Sequence, residues 1–327
     1  MRRDGTKDGE RRAPGLLLAG ATALVSGVSV FVNGYGVRAL PDAALYTTAK
    51  NVVAAVLLAL AVVAFPSLRR RAPDSSDGGG GGRAADRPPG GGRATSGGLA
   101  RALGLAYVAA VGGGVAFVLF FTGLARSAAE PAAFVHDTLV IWVGVVAWGA
   151  LRERLSTWNL VAIAALVAGQ VLAAGGVGGL AGAGGLGLVL AATLLWAVEV
   201  VVAKRLLATV TPGAIALVRM GGGSALLVCY LALDNKLAAL SSLDARQLSW
   251  VLATGALLAV YVATWFAALA RARAVDVTSV LAASVVVTAA LQALAGRSGL
   301  PSEPAGLALV VLGAATVWWR WPRRVLA

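Results

Sequence analysis

A chain with one cysteine and one histidine closes no disulfide within itself and cannot assemble a structural zinc site of the usual Cys/His kind. Charge is also scarce. Asp, Glu, Lys and Arg make up 13% of the 327 residues, roughly half the share of a soluble domain. No Gly-Lys-Ser/Thr follows the run Gly78 to Gly82, so a phosphate-cradling loop is excluded and nothing in the chain points to nucleotide-driven work. What fills the chain instead is apolar: 58% hydrophobic residues and a mean hydropathy of +0.81. That excess is too large for one buried core and fits an outer surface that faces lipid. A net charge of +13 would suggest nucleic acid on a soluble protein. Here the charges sit between apolar runs and not on one face, so the bilayer is the expected partner and nucleic acid is not. No metal and no cofactor is expected.

A membrane-spanning helix needs about 17–25 mostly apolar residues. Ten segments come close, near 15–36, 43–65, 102–124, 131–150, 158–175, 185–204, 212–233, 247–269, 275–296 and 304–320. The expected fold is therefore an all-α integral membrane protein of ten transmembrane helices. Residues 1–14 form a cytoplasmic tail, 15–175 a first five-helix unit, 176–184 a Gly-rich external junction, 185–320 a second five-helix unit and 321–327 a cytoplasmic tail. Within the first unit, 66–101 carries Arg69-Arg70-Arg71, Gly78 to Gly82 and Pro88-Pro89-Gly90. That composition predicts a disordered cytoplasmic loop. Arg11-Arg12 before an apolar run resembles a signal peptide. The small residues lie inside the run and not after it, so an uncleaved first helix is expected.

Lys and Arg set the orientation. Of the 28, only Arg38, Arg126, Lys236, Arg246 and Arg297 fall outside when both termini are cytoplasmic, and Lys50 and Arg219 lie within helices. This bias predicts N-in and C-in topology in the cytoplasmic membrane. Trp158, Trp318, Trp319 and Trp321 then fall at the inner interface and Trp250 at the outer one, where amphipathic rings are favoured.

The two units echo one another. Phe120-Phe121-Thr122-Gly123-Leu124-Ala125-Arg126 closes the third helix, and Trp265-Phe266-Ala267-Ala268-Leu269-Ala270-Arg271 closes the eighth. Pro41 and Pro212 open the second and seventh helices, each with a basic residue inside, Lys50 and Arg219. The fifth and tenth helices share a Leu/Val-rich stretch around Gly169 and Gly313. An odd number of spans per unit makes the second unit inverted relative to the first, a recurring plan among alternating-access transporters.

This layout resembles the drug/metabolite transporter superfamily, in particular its EamA-like ten-helix permeases. The most specific piece is Leu151-Arg152-Glu153-Arg154-Leu155-Ser156. It is similar to that family's Gly-Glu-Arg-Leu-Ser/Thr turn between the fourth and fifth helices, with Arg152 in place of the glycine. In the second unit the chain departs from the family, with Arg297 near the place of an acidic residue. The resemblance implies secondary transport of small metabolites or drug-like compounds by alternating access, often export, and no enzyme activity. It names no substrate, and a homodimer is left open. Two rival classes remain at this stage: a non-transporting membrane scaffold or sensor, and a membrane-embedded enzyme. The enzyme would need a nucleophile with a base or a metal cluster, for which one His and one Cys give little material.

An ionisable group near the bilayer centre costs about 2.5–3.5 kcal/mol on insertion scales, so such groups mark function or pairing. Five lie inside expected helices: Lys50, His136, Asp137, Glu199 and Arg219. Counting about 1.5 Å per residue puts Lys50 and Asp137 in the outer half and Glu199 and Arg219 in the inner half. The expected pairs are Lys50–Asp137 and Glu199–Arg219. Two readings stand: a polar path between the units, or structural ion pairs that lock helices together. His136, with an ordinary pKa near 6.5, is a candidate proton relay. Asn33, Gln170 and Gln292 are further path candidates, with interhelical hydrogen bonding as the plainer role. Tyr46, Trp142 and Trp196 are candidate cavity walls. Gly112-Gly113-Gly114 and Gly221-Gly222-Gly223 permit close helix contact, with hinge motion the lesser option.

Overall fold

The computed structural model describes residues 4–40, 42–66, 93–127, 132, 135–152, 157–173 and 184–296, together with 305, 306, 308, 309, 311–313 and 315. Every regular element among them is helical. The helices are α1 (Asp4–Ala39), α2 (Ala43–Ala64), α3 (Arg93–Tyr107, continued by a π-helical Val108–Val115 and by Ala116–Ala125), α4 (Leu139–Leu151), α5 (Thr157–Ala173) and α6 (Leu186–Leu206). They are followed by α7 (Pro212–Leu217, a π-helical Val218–Gly222 and Gly223–Leu233), α8 (Ala245–Arg271) and α9 (Ala274–Leu281 and Ser284–Leu294). Seven of the spans are long and apolar enough to cross a membrane. The surface is that of a chain in lipid. Leu233 and Leu294 are 84% and 85% exposed, while Lys50 is 2% and Asn51 0% exposed. Water would select the opposite arrangement.

The expected loop 66–101 ends early, because α3 begins at Arg93. Hydropathy marks only the part of a helix that sits in lipid. Ala94, Leu99, Ala100, Arg101 and Leu103 are good helix formers, and adding turns to an existing helix needs no new nucleus. The same reasoning extends α1 back to Asp4, into the expected tail. The rest of that loop from 67 to 92, the junction 176–183 and the C-terminal tail lie outside the described residues.

Local chemistry fixes the helix starts. The Asp42 carboxylate accepts the Ala44 N–H at 2.7 Å and caps α2. Thr211 caps α7 ahead of Pro212, and Asp244 with Gln247 forms a capping box on α8. Inside the helices Thr47, Thr48, Thr193, Thr254 and Thr278 bond the carbonyl four residues back, so their hydroxyls are satisfied without water.

The helices pack in matched pairs. α1 lies along α8 and α3 along α6; α2 packs on α8 and α7 on α3; α1 packs on α9 and α6 on α4. Each contact becomes its counterpart when every helix is replaced by the one five places away. α2 with α7 and α4 with α9 map onto themselves. Gly15 meets Arg271 and Ala272, and Gln247 Nε2 donates to Ala39 O, so α1 and α8 are antiparallel. Gly104 meets Val202 and Leu206 while Gly123 meets Gly185 and Val189, so α3 and α6 are antiparallel as well. At one end Lys204 Nζ donates to Leu269 O and Ala272 O at 2.6 and 2.7 Å, and Arg205 donates to Ala150 O. At the other end Lys236 Nζ bridges Asp42 and Asp234 at 2.8 and 2.7 Å. The hydrogen bonds that Lys236 donates to the Asp234 and Asp42 carboxylates raise its pKa above the ordinary value. Partial burial works against the Asp42 carboxylate, but bonds from Lys236 and the Ala44 N–H outweigh it and hold its pKa below 3.8. The Asp42 contribution is therefore in place above pH 3.8 and is lost as the pH falls through the lowered value.

Arg152, which stands where the similar family turn has glycine, adopts φ 54° and ψ 29° at the C-cap of α4. This left-handed conformation costs a non-glycine residue about 1–2 kcal/mol. Arg152→Gly, at an exposed position, is expected to stabilise the protein by about 0.5–1 kcal/mol after the added chain entropy of glycine is discounted. Thermal unfolding in detergent measures this, and an unchanged or lowered midpoint counts against it.

Candidate functional site

The middle of the bundle is built on glycine. A Cβ at Gly113 would overlap the carbonyl of Arg219, and one at Gly223 would overlap the backbone of Gly113. α3 and α7 therefore cross backbone to backbone, and both are π-helical at the crossing. The wider π turn shifts the hydrogen-bond ladder and leaves carbonyls in need of other donors. Two are supplied from neighbouring helices: Trp196 Nε1 donates to Gly112 O at 3.1 Å, and Asn51 Nδ2 donates to Gly113 O at 3.3 Å.

Beside this crossing Arg219 and Glu199 form a two-pronged ion pair. Nε donates to Oε1 at 2.5 Å and Nη2 to Oε2 at 3.1 Å, with side chains only 6% and 4% exposed. The carboxylate fits because residue 112 is glycine; a Cβ there would overlap it. The guanidinium also lies over the Phe117 ring, 5.0 Å from its centre. The expected Glu199–Arg219 pair is thus present.

The expected Lys50–Asp137 pair is not formed. Lys50 Nζ donates to Asn33 Oδ1 at 3.0 Å and sits 3.8 Å from the centre of the Phe121 ring. Asn33 is held by its own turn, since Nδ2 donates to Ser29 O and Ser29 Oγ at 2.7 and 2.9 Å. That leaves Oδ1 for Lys50 and for the Tyr46 hydroxyl, which donates at 2.5 Å. Asp137 has no hydrogen-bond or ion-pair partner among the described residues. Depth along a helix is one coordinate, and these two residues share it while facing different neighbours.

The two polar pairs occupy matching places. Lys50 and Arg219 each lie seven residues past the first residue of their helices, Ala43 and Pro212. Asn33 and Glu199 lie six and seven residues before the ends of theirs, Ala39 and Leu206. Both pairs line one cleft with about 100 Å³ of room for the centres of water-sized molecules, whose wall also includes His136, Trp196, Phe117, Phe120, Phe121, Leu258, Tyr261 and Trp265. Ligand pockets are mostly apolar and carry a few convergent polar groups, as this cleft does. His136 contacts Phe120 and Trp196 with ring centres 5.1 and 5.2 Å apart, and its buried Nδ1 has no hydrogen-bond partner among the described residues.

The remaining candidates fall elsewhere. Tyr46 is fully buried behind the wall, where it orients Asn33. Trp142 bonds the Thr138 hydroxyl at 3.2 Å and is not on the cleft wall, and neither are Asp137 and Gln292. The Gln170 side chain lies outside the described residues, as does Glu153. Residue reading missed Phe117, Phe120, Phe121, Tyr261 and Trp265 as wall residues. The signal was present, because the heptads that mark the repeat carry Phe120-Phe121 and Trp265-Phe266. Among the described residues no group of His, Cys, Asp and Glu gathers to hold a metal.

With this geometry in place, comparison with known proteins gives a family. The model of the EamA-like transporter family matches residues 13–175 and again 183–319. The chain belongs to the EamA-like transporter family. The double match divides it where the helix contacts do, into two related units. This EamA-like protein superposes on a solved crystal structure with a TM-score of 0.66 at 17% identity, covering 94% of this chain and 97% of that one. At that identity the likeness speaks for the fold. No curated protein matches in sequence. The protein is a multi-pass membrane protein of a transporter family.

Breaking the ion pair from one side leaves a buried charge alone. Arg219→Ala is expected to cost about 3–5 kcal/mol, and the double variant Glu199→Gln with Arg219→Met to recover most of it. Unfolding midpoints in detergent test this. A double variant no more stable than Arg219→Ala would contradict it. Gly112→Ala, which pushes a methyl into the carboxylate, should cost about 1–3 kcal/mol by the same measurement.

Proposed function

We propose that this protein is a secondary transporter that moves small metabolites or drug-like compounds across the cytoplasmic membrane by alternating access, in the export direction that the family resemblance implies. The reading takes the chain as ten spans in two inverted five-helix repeats, with both termini in the cytoplasm. The observation that carries it is the pair of buried polar couples, Asn33–Lys50 and Glu199–Arg219, at matching places in the two units and on the wall of one cleft. Charges in lipid persist where they are paired or face an aqueous path, and here one couple lies toward each end of the bundle. The antiparallel packing of α1 on α8 and α3 on α6 supports inversion, because α6 and α8 end where α1 and α3 begin. Substrate enters between the units, near the midplane where such repeats meet. The two units rock about the α3–α7 crossing, where glycine contacts and π turns leave few side chains to rearrange.

The same reading gives His136 and Glu199 access to the path, and Asp137 a place behind it. Proton exchange with substrate would then make flux depend on pH. Counterflow in proteoliposomes with a metabolite library tests the function. Lys50→Ala and Arg219→Ala, inserted normally, are expected to lower flux of an accepted substrate by about tenfold or more, as expected for loss of a charged contact. Full flux in both variants would remove the cleft from the transport path. A reporter fused after Ala174 should read as external, and a cytosolic reading would overturn the inversion.

A further inference from the structure

The two units share a frame but not a charge balance. In the second unit the guanidinium of Arg219 meets a carboxylate, Glu199, which takes two of its donors. In the first unit the matching partner of Lys50 is an amide, Asn33. The Asn33 oxygen is neutral and is already shared with the Tyr46 hydroxyl. Of the three ammonium donors, one meets Asn33, and the Phe121 face covers another side at 3.8 Å. Among the described residues no carboxylate forms an ion pair with Lys50, although the residue is 2% exposed and lines the cleft. A buried cation with a spare donor and no counter-ion is costly until an anion reaches it.

From this geometry we infer that the cleft binds small organic monocarboxylates with an aromatic or branched apolar body, with Lys50 as the anchor of the carboxylate. This rests on the reading of the cleft as a substrate path and names the class of substrate that path takes. Glu199 does not oppose the anion, because Arg219 neutralises it. Asp137, the other carboxylate of the embedded set, is not on the cleft wall. The body of the ligand lies among Phe117, Phe120, Trp196, Tyr261 and Trp265, whose rings supply apolar contact area. His136 Nδ1, buried on the same wall with no hydrogen-bond partner among the described residues, offers the ligand a second hydrogen-bonding position. A cationic compound of the same body would bring its charge against Lys50 and is rejected.

Three probes with one body separate the possibilities: 3-phenylpropionate, 3-phenylpropylamine and 3-phenylpropanol. Binding to the purified full-length protein is followed by tryptophan fluorescence, since Trp196 and Trp265 stand on the cleft wall. The acid should bind at least about tenfold tighter than the amine or the alcohol, the difference expected for one charge-assisted contact. Lys50→Met should abolish that preference, and Lys50→Arg should keep most of it. Asn33→Asp places a carboxylate beside Lys50, copying the Glu199–Arg219 arrangement. It should weaken acid binding by about tenfold more than it weakens alcohol binding, and it serves if Lys50→Met fails to fold. Failure of the acid to bind the wild-type protein, equal binding of the amine, or acid binding indifferent to Asn33→Asp overturns the inference. Flux in proteoliposomes keeps the two readings apart. Acid that binds but does not cross overturns transport and leaves the anion site. An amine that crosses at a rate unaffected by Asn33→Asp leaves transport and overturns the anion site.

Discussion

Inside a bilayer no water stands ready to bond an orphaned carbonyl or to screen a charge, so each must be answered from within the protein. The Glu199–Arg219 pair depends on this constraint more visibly than any other contact here. The pair can form because Gly112 leaves room for the carboxylate and Gly113 lets α7 approach α3 at the Arg219 carbonyl. That approach coincides with π turns in both helices. Two of the carbonyls in the α3 turn are then claimed by Trp196 and Asn51, which tie α6 and α2 to the same point. Glycine, ion pair, irregular turn and side-chain donor form one connected device, and the cleft is the space it leaves open.

Repetition supplies the frame and difference supplies the chemistry. Two related units packed through exchangeable contacts make a site between them with polar couples at matching places. If both couples were Glu–Arg, the wall would be neutral and symmetric. Asn33 in place of a carboxylate breaks that balance at a single position. The rings also differ in kind, with Phe117, Phe120 and Phe121 from α3 facing Trp196 from α6 and Tyr261 and Trp265 from α8. Under the proposed function, this lets the cleft take an asymmetric ligand without altering the helix packing shared by the two units.

The spans were legible because lipid imposes a length and a polarity on them, and Ala43–Ala64 or Pro212–Leu233 could be read almost to the residue. The start of α3 was not, because Arg93 to Arg101 lies beyond the apolar run and the hydropathy that marks a span is blind there. Lys50, Glu199 and Arg219 announced themselves as charges in apolar runs. The partner of Lys50 did not. Asn33 and Asp137 both offer oxygen at a suitable depth, and the choice turns on how α1 and the turn that precedes α4 face Lys50. Tyr46 was read as wall and lies behind it for the same reason. Phe117, Phe120 and Phe121 went unremarked because an aromatic on a membrane helix is usually packing, and only a cavity distinguishes the two roles.

The sequence by itself determined that the chain lives in lipid, roughly where it crosses, that its halves are related and which charges are buried. Each of these follows from one-dimensional quantities: hydropathy, spacing and charge along the chain. Tertiary structure alone decided which buried groups meet, that Arg219 meets a carboxylate while Lys50 meets an amide, and that both face one cleft. Those outcomes depend on how helices turn and cross, and residues far apart in the chain set that jointly, such as Gly113 against Gly223 and Asn33 against Lys50.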